Sequence, residues 1–151
     1  MKFESKNPDF VNTIQQKLSG QHFMHHIGFE LITIEAGFVE GKAKMEKFLQ
    51  QQNGFLHGGA TATFCDLVAG FAAFTLVEPG ATVVTVELKV SYMNPGIGDI
   101  IYASGRVIKS GNMLSFCEAE VYSLVDNKPH LIAKCTTTMA KITLPWKIIA
   151  S

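Results

Sequence analysis

"GGATATFCDLVAGFAAFTLV", residues Gly58–Val77, decides the fold. Ala60, Ala62, Phe64, Leu67, Val68, Phe71, Ala72, Phe74, Leu76 and Val77 cover most of the circumference of a helical wheel. A helix that is apolar nearly all round is a buried helix, and Pro79-Gly80 closes it. Its entry, His57-Gly58-Gly59, and one carboxylate inside it, Asp66, do not fit a plain core element.

Outward from this helix the chain reads mostly as strand. Upstream, Asp9–Leu18 predicts a short helix with Phe10, Ile14 and Leu18 on one stripe, and Phe29–Met45 reads as a strand pair punctuated by Gly37 and Gly41. Downstream, Val84, Val86, Leu88, Val90 and Tyr92 alternate with Thr85, Glu87, Lys89 and Ser91, predicting one core face and one polar face. Three more strands are predicted over Ile100–Lys109, Met113–Val125 and His130–Lys141, joined at Ser110-Gly111-Asn112 and Asp126-Asn127-Lys128-Pro129. The order predicts an α+β fold in which an antiparallel sheet curls around one buried helix. Long strands leave edges, which dimerisation by sheet extension would remove.

The 151 residues predict one domain over 1–151, with an N-terminal helical extension over 1–21 and a C-terminal tail over 142–151. Thirteen basic residues balance thirteen acidic ones, and Arg106 is the only arginine. That balance speaks against a nucleic-acid or anionic-membrane surface and leaves small molecules or further copies of the chain as partners. The first residues lack a signal-peptide pattern, and no apolar run reaches transmembrane length. Cys65, Cys117 and Cys135 form no paired framework, so reduced thiols and a cytoplasmic location are expected.

Burying an ionised carboxylate is costly without partners, so Asp66 is either a packing residue bonded to a neighbour or a working group in a cleft. Ala62, Ala69, Gly70 and Ala73 surround it at helical spacing, which leaves room for a ligand or a second backbone. Glycines at a helix start expose backbone N–H groups that can hold an oxyanion. Donors for a carbonyl oxygen plus a carboxylate suggest acyl transfer. If His57 belongs to the first helical turn, nine residues at about 100° each place it opposite Asp66, so two antiparallel helices of a dimer would have to share one site.

Gln51-x5-His57-Gly58-Gly59-x6-Asp66, followed by "TVELKVSYMNP" (Thr85–Pro95), resembles the hotdog-fold acyl-CoA thioesterases of the phenylacetate-pathway (PaaI-like) type. The similarity runs from about His22 to Lys141. It implies a long helix wrapped by a curled antiparallel sheet, homodimers with active sites at their interface, and pairing of dimers into tetramers. It implies hydrolysis of a small or medium acyl- or aryl-CoA, with coenzyme A as part of the substrate and no cofactor. By the same resemblance the Gly58 amide polarises the thioester carbonyl, and Asp66 of the facing subunit is general base or nucleophile. Gln51 positions the thioester or the water, with Asn53 as the alternative in that register. His57 orients the loop and the thioester end, and Thr85 bonds the water or the carboxylate.

Gly59, Tyr92 and Asn94 are further implied substrate neighbours, and the turn Lys109-Ser110-Gly111-Asn112 is implied to lie near the CoA nucleotide. Many relatives carry a cation where Asn112 stands, which leaves Lys109 and Arg106 as the nearby cations.

Other readings are weaker. His22, His25 and His26 give one i, i+4 pair without an acidic third ligand, so no metal site is expected. Cys65 could act as a nucleophile with His57 as base, but adjacent helical residues diverge by about 100° and Cys65 reads as core. A non-catalytic acyl-CoA-binding hotdog protein is the alternative function, and a hotdog dehydratase a third. An intact set of Asp66, Gly58, Gln51 and Thr85 favours the thioesterase.

Overall fold

The computed structural model describes residues 3–143, so the expected tail lies, from residue 144 on, outside the described residues. The chain runs α1 (Phe10–Leu18), α2 (His22–Ile27), β1 (Phe29–Glu35), β2 (Phe38–Lys44), a short 3-10 turn (Lys47–Leu49) and α3 (Gly58–Phe74). Four strands follow: β3 (Ala81–Tyr92), β4 (Ile100–Ser110), β5 (Leu114–Val125) and β6 (Lys128–Thr143). All pairings are antiparallel in the spatial order β1-β2-β4-β5-β6-β3, and α3 touches every strand. This is the hotdog fold.

Packing of α3 explains the architecture. Thr61, Phe64, Cys65, Val68, Ala69, Ala72 and Ala73 are buried, most of them facing the sheet. At the closest approach a Cβ on Gly105 of β4 would fall 2.5 Å from the Val68 carbonyl, so only glycine lets helix and strand meet there. The N-terminal segment is part of this core, because Ile14 of α1 is fully buried and Phe3 packs on Gly37.

Four features differ from the sequence reading. The first is α2, which was not expected and ends at Gly28 with φ 67°, whereas the expected strand pair over Phe29–Met45 does divide at Ala36-Gly37, where Gly37 adopts φ 79°. Asp126 and Asn127 take φ of 50° and 59°, so the connection is a tight two-residue turn. Strand β6 therefore resumes at Lys128, and His130 lies inside it, its Nε2 2.9 Å from the Pro95 carbonyl, rather than in a turn.

The third difference is in β3. The pairing with β6 shifts between Thr85 and Glu87, leaving Val86 as a bulge. One extra residue reverses which side chains face the helix. Val84 and Val86, expected in the core, are 44% and 61% exposed, while Leu88 and Val90 keep their inward direction.

The fourth concerns the thiols. Cys65 of α3 and Cys135 of β6 form a disulfide, and only Cys117 is free among the described residues. The expectation of three reduced thiols is thereby corrected. The two cysteines are seventy residues apart, a separation that spacing along the chain does not reveal. Burial pushes the Cys117 thiol up to about 11, which leaves it protonated and inert at neutral pH. Peptide mapping without reductant should recover Cys65 linked to Cys135, and Cys117 should take up label only after denaturation. Cys135→Ser should lower stability by about 2–4 kcal/mol in a denaturant titration.

Candidate active site

The first group forms at the entry to α3. The Leu49 carbonyl accepts the His57 N–H at 2.8 Å, and His57 is the N-cap residue with φ −64° and ψ 138°. Its Nδ1 accepts the Gly59 N–H at 2.9 Å, which assigns the ring proton to Nε2. His57 precedes the helix, so the condition for placing it opposite Asp66 by turn counting is not met, and the Gly59 N–H is taken up by the His57 ring.

The Gly58 N–H has no acceptor among the described residues. The Gly58 carbonyl accepts the Tyr92 hydroxyl at 2.8 Å, which ties the first turn of α3 to the end of β3. Gln51 Oε1 accepts the Asn53 N–H at 2.7 Å, leaving the Gln51 Nε2 as a donor. Gln51, Gly58, Tyr92 and Asn94 share one shallow depression, from which His57, Gly59 and Asn53 are absent. The Asn94 amide donates to the Leu131 carbonyl at 2.8 Å, so its nitrogen is already engaged.

The second group forms in the middle of α3. Gly59, Ala62, Thr63, Asp66, Leu67 and Gly70 are not fully buried, and they recur at the spacing of one helical stripe. Ala62 and Gly70 flank Asp66 on this open stripe, whereas Ala69 and Ala73, expected beside it, are buried. The Thr85 hydroxyl donates to Asp66 Oδ1 at 2.7 Å and lies 3.5 Å from the Met139 sulfur. The Val86 bulge makes this contact possible, since an unbroken alternation would put Thr85 with Glu87 on the outer face.

Asp66 and Thr85 open into a cavity of about 450 Å³ whose walls include Gly70, Phe71 and Phe74. Lys17 and Gln21, from the N-terminal helices, also line it. Sequence reasoning missed both, because no local pattern says that α1 folds back over the end of α3. The Gly58 N–H and the Asp66 carboxylate are eight residues apart, roughly 12 Å along the axis at 1.5 Å per residue. Within one chain they cannot meet at a single carbonyl group.

The turn with Lys109, Ser110, Gly111 and Asn112 is exposed and enters neither depression. It lies at the Thr85 end of the sheet, since Thr85, Met139, Ser115 and Ser110 form one cross-strand row. Arg106 is paired with Glu118 at 2.8 Å, and Lys109 makes no ion pair among the described residues. Among the described residues no group of three His, Cys, Asp or Glu side chains could hold a metal ion. No helix among them is long and apolar enough to cross a membrane.

The sequence model of the thioesterase superfamily matches residues 53–129, a span that holds the helix entry, Asp66 and Thr85. The chain belongs to the thioesterase superfamily. A thioesterase family protein from Silicibacter pomeroyi has a similar structure, with a TM-score of 0.87 and 32% identity over 89% of this chain and 99% of its own. Human acyl-coenzyme A thioesterase 13 is 31% identical over 99 residues, 65% of this chain and 70% of its own. The proofreading thioesterase EntH of Klebsiella pneumoniae is 28% identical over 97 residues, 64% of this chain and 71% of its own.

The enzyme is a thioester hydrolase, and its two groups match the needs of that chemistry: a donor for an oxyanion and a held carboxylate. Thr85→Val keeps the shape of the side chain and removes the bond to Asp66. A hydrogen bond to a charged group contributes about 1.5–3 kcal/mol, so thioesterase turnover should fall about 10- to 100-fold, with the melting temperature lower by several degrees.

Proposed function

We propose that this thioesterase hydrolyses small or medium acyl- or aryl-CoA substrates at sites shared between two antiparallel copies of α3. The separation of Gly58 from Asp66 carries the proposal, because one thioester carbonyl needs both a donor and a carboxylate. A second chain would bring its Gly58 N–H beside the first chain's Asp66. The open stripe of small residues lets two helices approach closely, and β3 offers a twelve-residue edge for continuing the sheet. The human relative's name supplies the acyl-CoA class.

In this reading the Gly58 N–H and the Gln51 amide hold the carbonyl oxygen. Asp66, fixed by Thr85, takes a proton from water or attacks the carbonyl itself. Oxygen adds to the carbonyl carbon, the C–S bond breaks, and the thiolate of CoA leaves and takes up a proton. Where Asp66 attacks, water then hydrolyses the mixed anhydride and frees Asp66, so by either route the products are a carboxylic acid and CoA. Tyr92 holds the Gly58 peptide in place, and His57 secures the helix start. Lys109 and its turn lie where the CoA phosphates would run. Val84 and Leu114 flank Ala140 on the outer face and offer an apolar surface for pairing dimers into tetramers.

Asp66→Asn should reduce hydrolysis of a broad acyl-CoA panel by about 10³-fold or more while leaving the dimer intact. Gly58→Pro removes the N–H at a helix position that tolerates proline, after a residue already extended at ψ 138°. It should likewise be inactive. Mixing and re-pairing the two inactive proteins should restore about a quarter of the sites, since each mixed dimer holds one intact pair. No recovery on mixing, or a monomer by sedimentation, would sink the shared site.

A further inference from the structure

We infer, resting on the shared-site reading above, that the Asp66 cavity takes acyl groups bearing a carboxylate at the end remote from the thioester, and that Lys17 binds that carboxylate. With Asp66 at the reacting end, the cavity follows α3 past Gly70 and Phe71 to Phe74. Asp66 and Phe74 lie eight residues apart, about 12 Å along the helix, which suits a medium acyl chain in extended form. Phe71, Phe74, Val83 and Met139 supply the apolar walls of that path, and the hydroxyls of Thr82 and Thr85 lie among them.

Polar groups gather at the far end. Lys17 Nζ stands 5.2 Å from the centroid of the Phe74 ring. It makes no ion pair among the described residues. The ring quadrupole holds the ammonium at the cavity without neutralising it. One turn on, Gln21 occupies the N-cap position of α2, yet its side chain makes no capping bond. Its amide is thus a second donor facing the same space. Between them Gly20 carries no side chain, and a Cβ there would come no nearer than 3.7 Å to another atom, so the end stays open.

The cavity therefore has an anion at one end and a cation at the other. A few placed polar groups beside apolar walls fix both identity and direction of a ligand. A plain alkyl chain would set its methyl group against a hydrated ammonium. A distal carboxylate would be held by Lys17 and Gln21, and repelled from the Asp66 end.

The test compares octanoyl-CoA with octanedioyl-CoA, which differ only in the terminal carboxylate. Wild-type enzyme should favour octanedioyl-CoA by about 10-fold in kcat/KM. Lys17→Met keeps an apolar stem on Phe74 and should abolish that preference, through a loss on octanedioyl-CoA with no loss on octanoyl-CoA and an unchanged melting temperature. Lys17→Glu should reverse it. An unchanged ratio in these variants, or an equal loss on both substrates (as contact with the CoA phosphates would give), would overturn the assignment. Octanoyl-CoA hydrolysis that depends on Asp66 but shows no carboxylate preference would remove this inference alone. Wild type inert towards both would remove the shared-site reading along with it.

Discussion

A helix that is apolar on every side has to be covered on every side, and a single curled sheet reaches only part of it. This constraint governs the protein. The sheet covers Phe64, Cys65, Val68, Ala69 and Ala72, and Gly105 lets it approach the helix backbone directly. What remains is a narrow stripe, mostly of small residues with Leu67 among them, centred on Asp66. Asp66 and Gly70 of that stripe open into the cavity that Phe71 and Phe74 continue. The shared site proposed above lies where that coverage runs out.

Two local devices aim groups at that gap, and each departs from regular structure. At the helix start, His57 takes the second glycine's N–H and leaves the first one's free. On β3, an extra residue at position 86 turns Thr85 inward to Asp66. Their effect is on direction: one backbone donor and one carboxylate oxygen are each left with a single defined orientation, which is what preorganised catalysis requires.

Much of this was legible in the residues, and the gaps have physical causes. The buried helix showed as continuous apolarity over Ala60–Val77, and β4, β5 and β6 showed as alternation with turns at their ends. Asp66 stood out because a carboxylate is costly in such surroundings. The β3 bulge stayed hidden because Val84 and Val86 alternate as well as core residues do, and only pairing with β6 reveals the shift. The Cys65–Cys135 bond depends on tertiary proximity. Lys17 and Gln21 looked like ordinary polar residues of an extension, and only the return of α1 over Phe74 brings them to the cavity. The conflict over His57 has the same origin: one residue's difference in where the helix begins changes its role from opposed partner to cap.

The disulfide has a mechanical consequence for Asp66. Cys65 is its immediate neighbour on α3 and is bonded to the central part of β6. A helix held only by apolar packing can roll about its own axis, and a small roll swings every side chain on its open stripe through an arc. A covalent pin one residue away removes that rotation and also prevents sliding along the axis. The carboxylate is thus indexed to the sheet, and so to Thr85, by a bond that does not loosen when thermal motion or a bound acyl chain disturbs the surrounding packing.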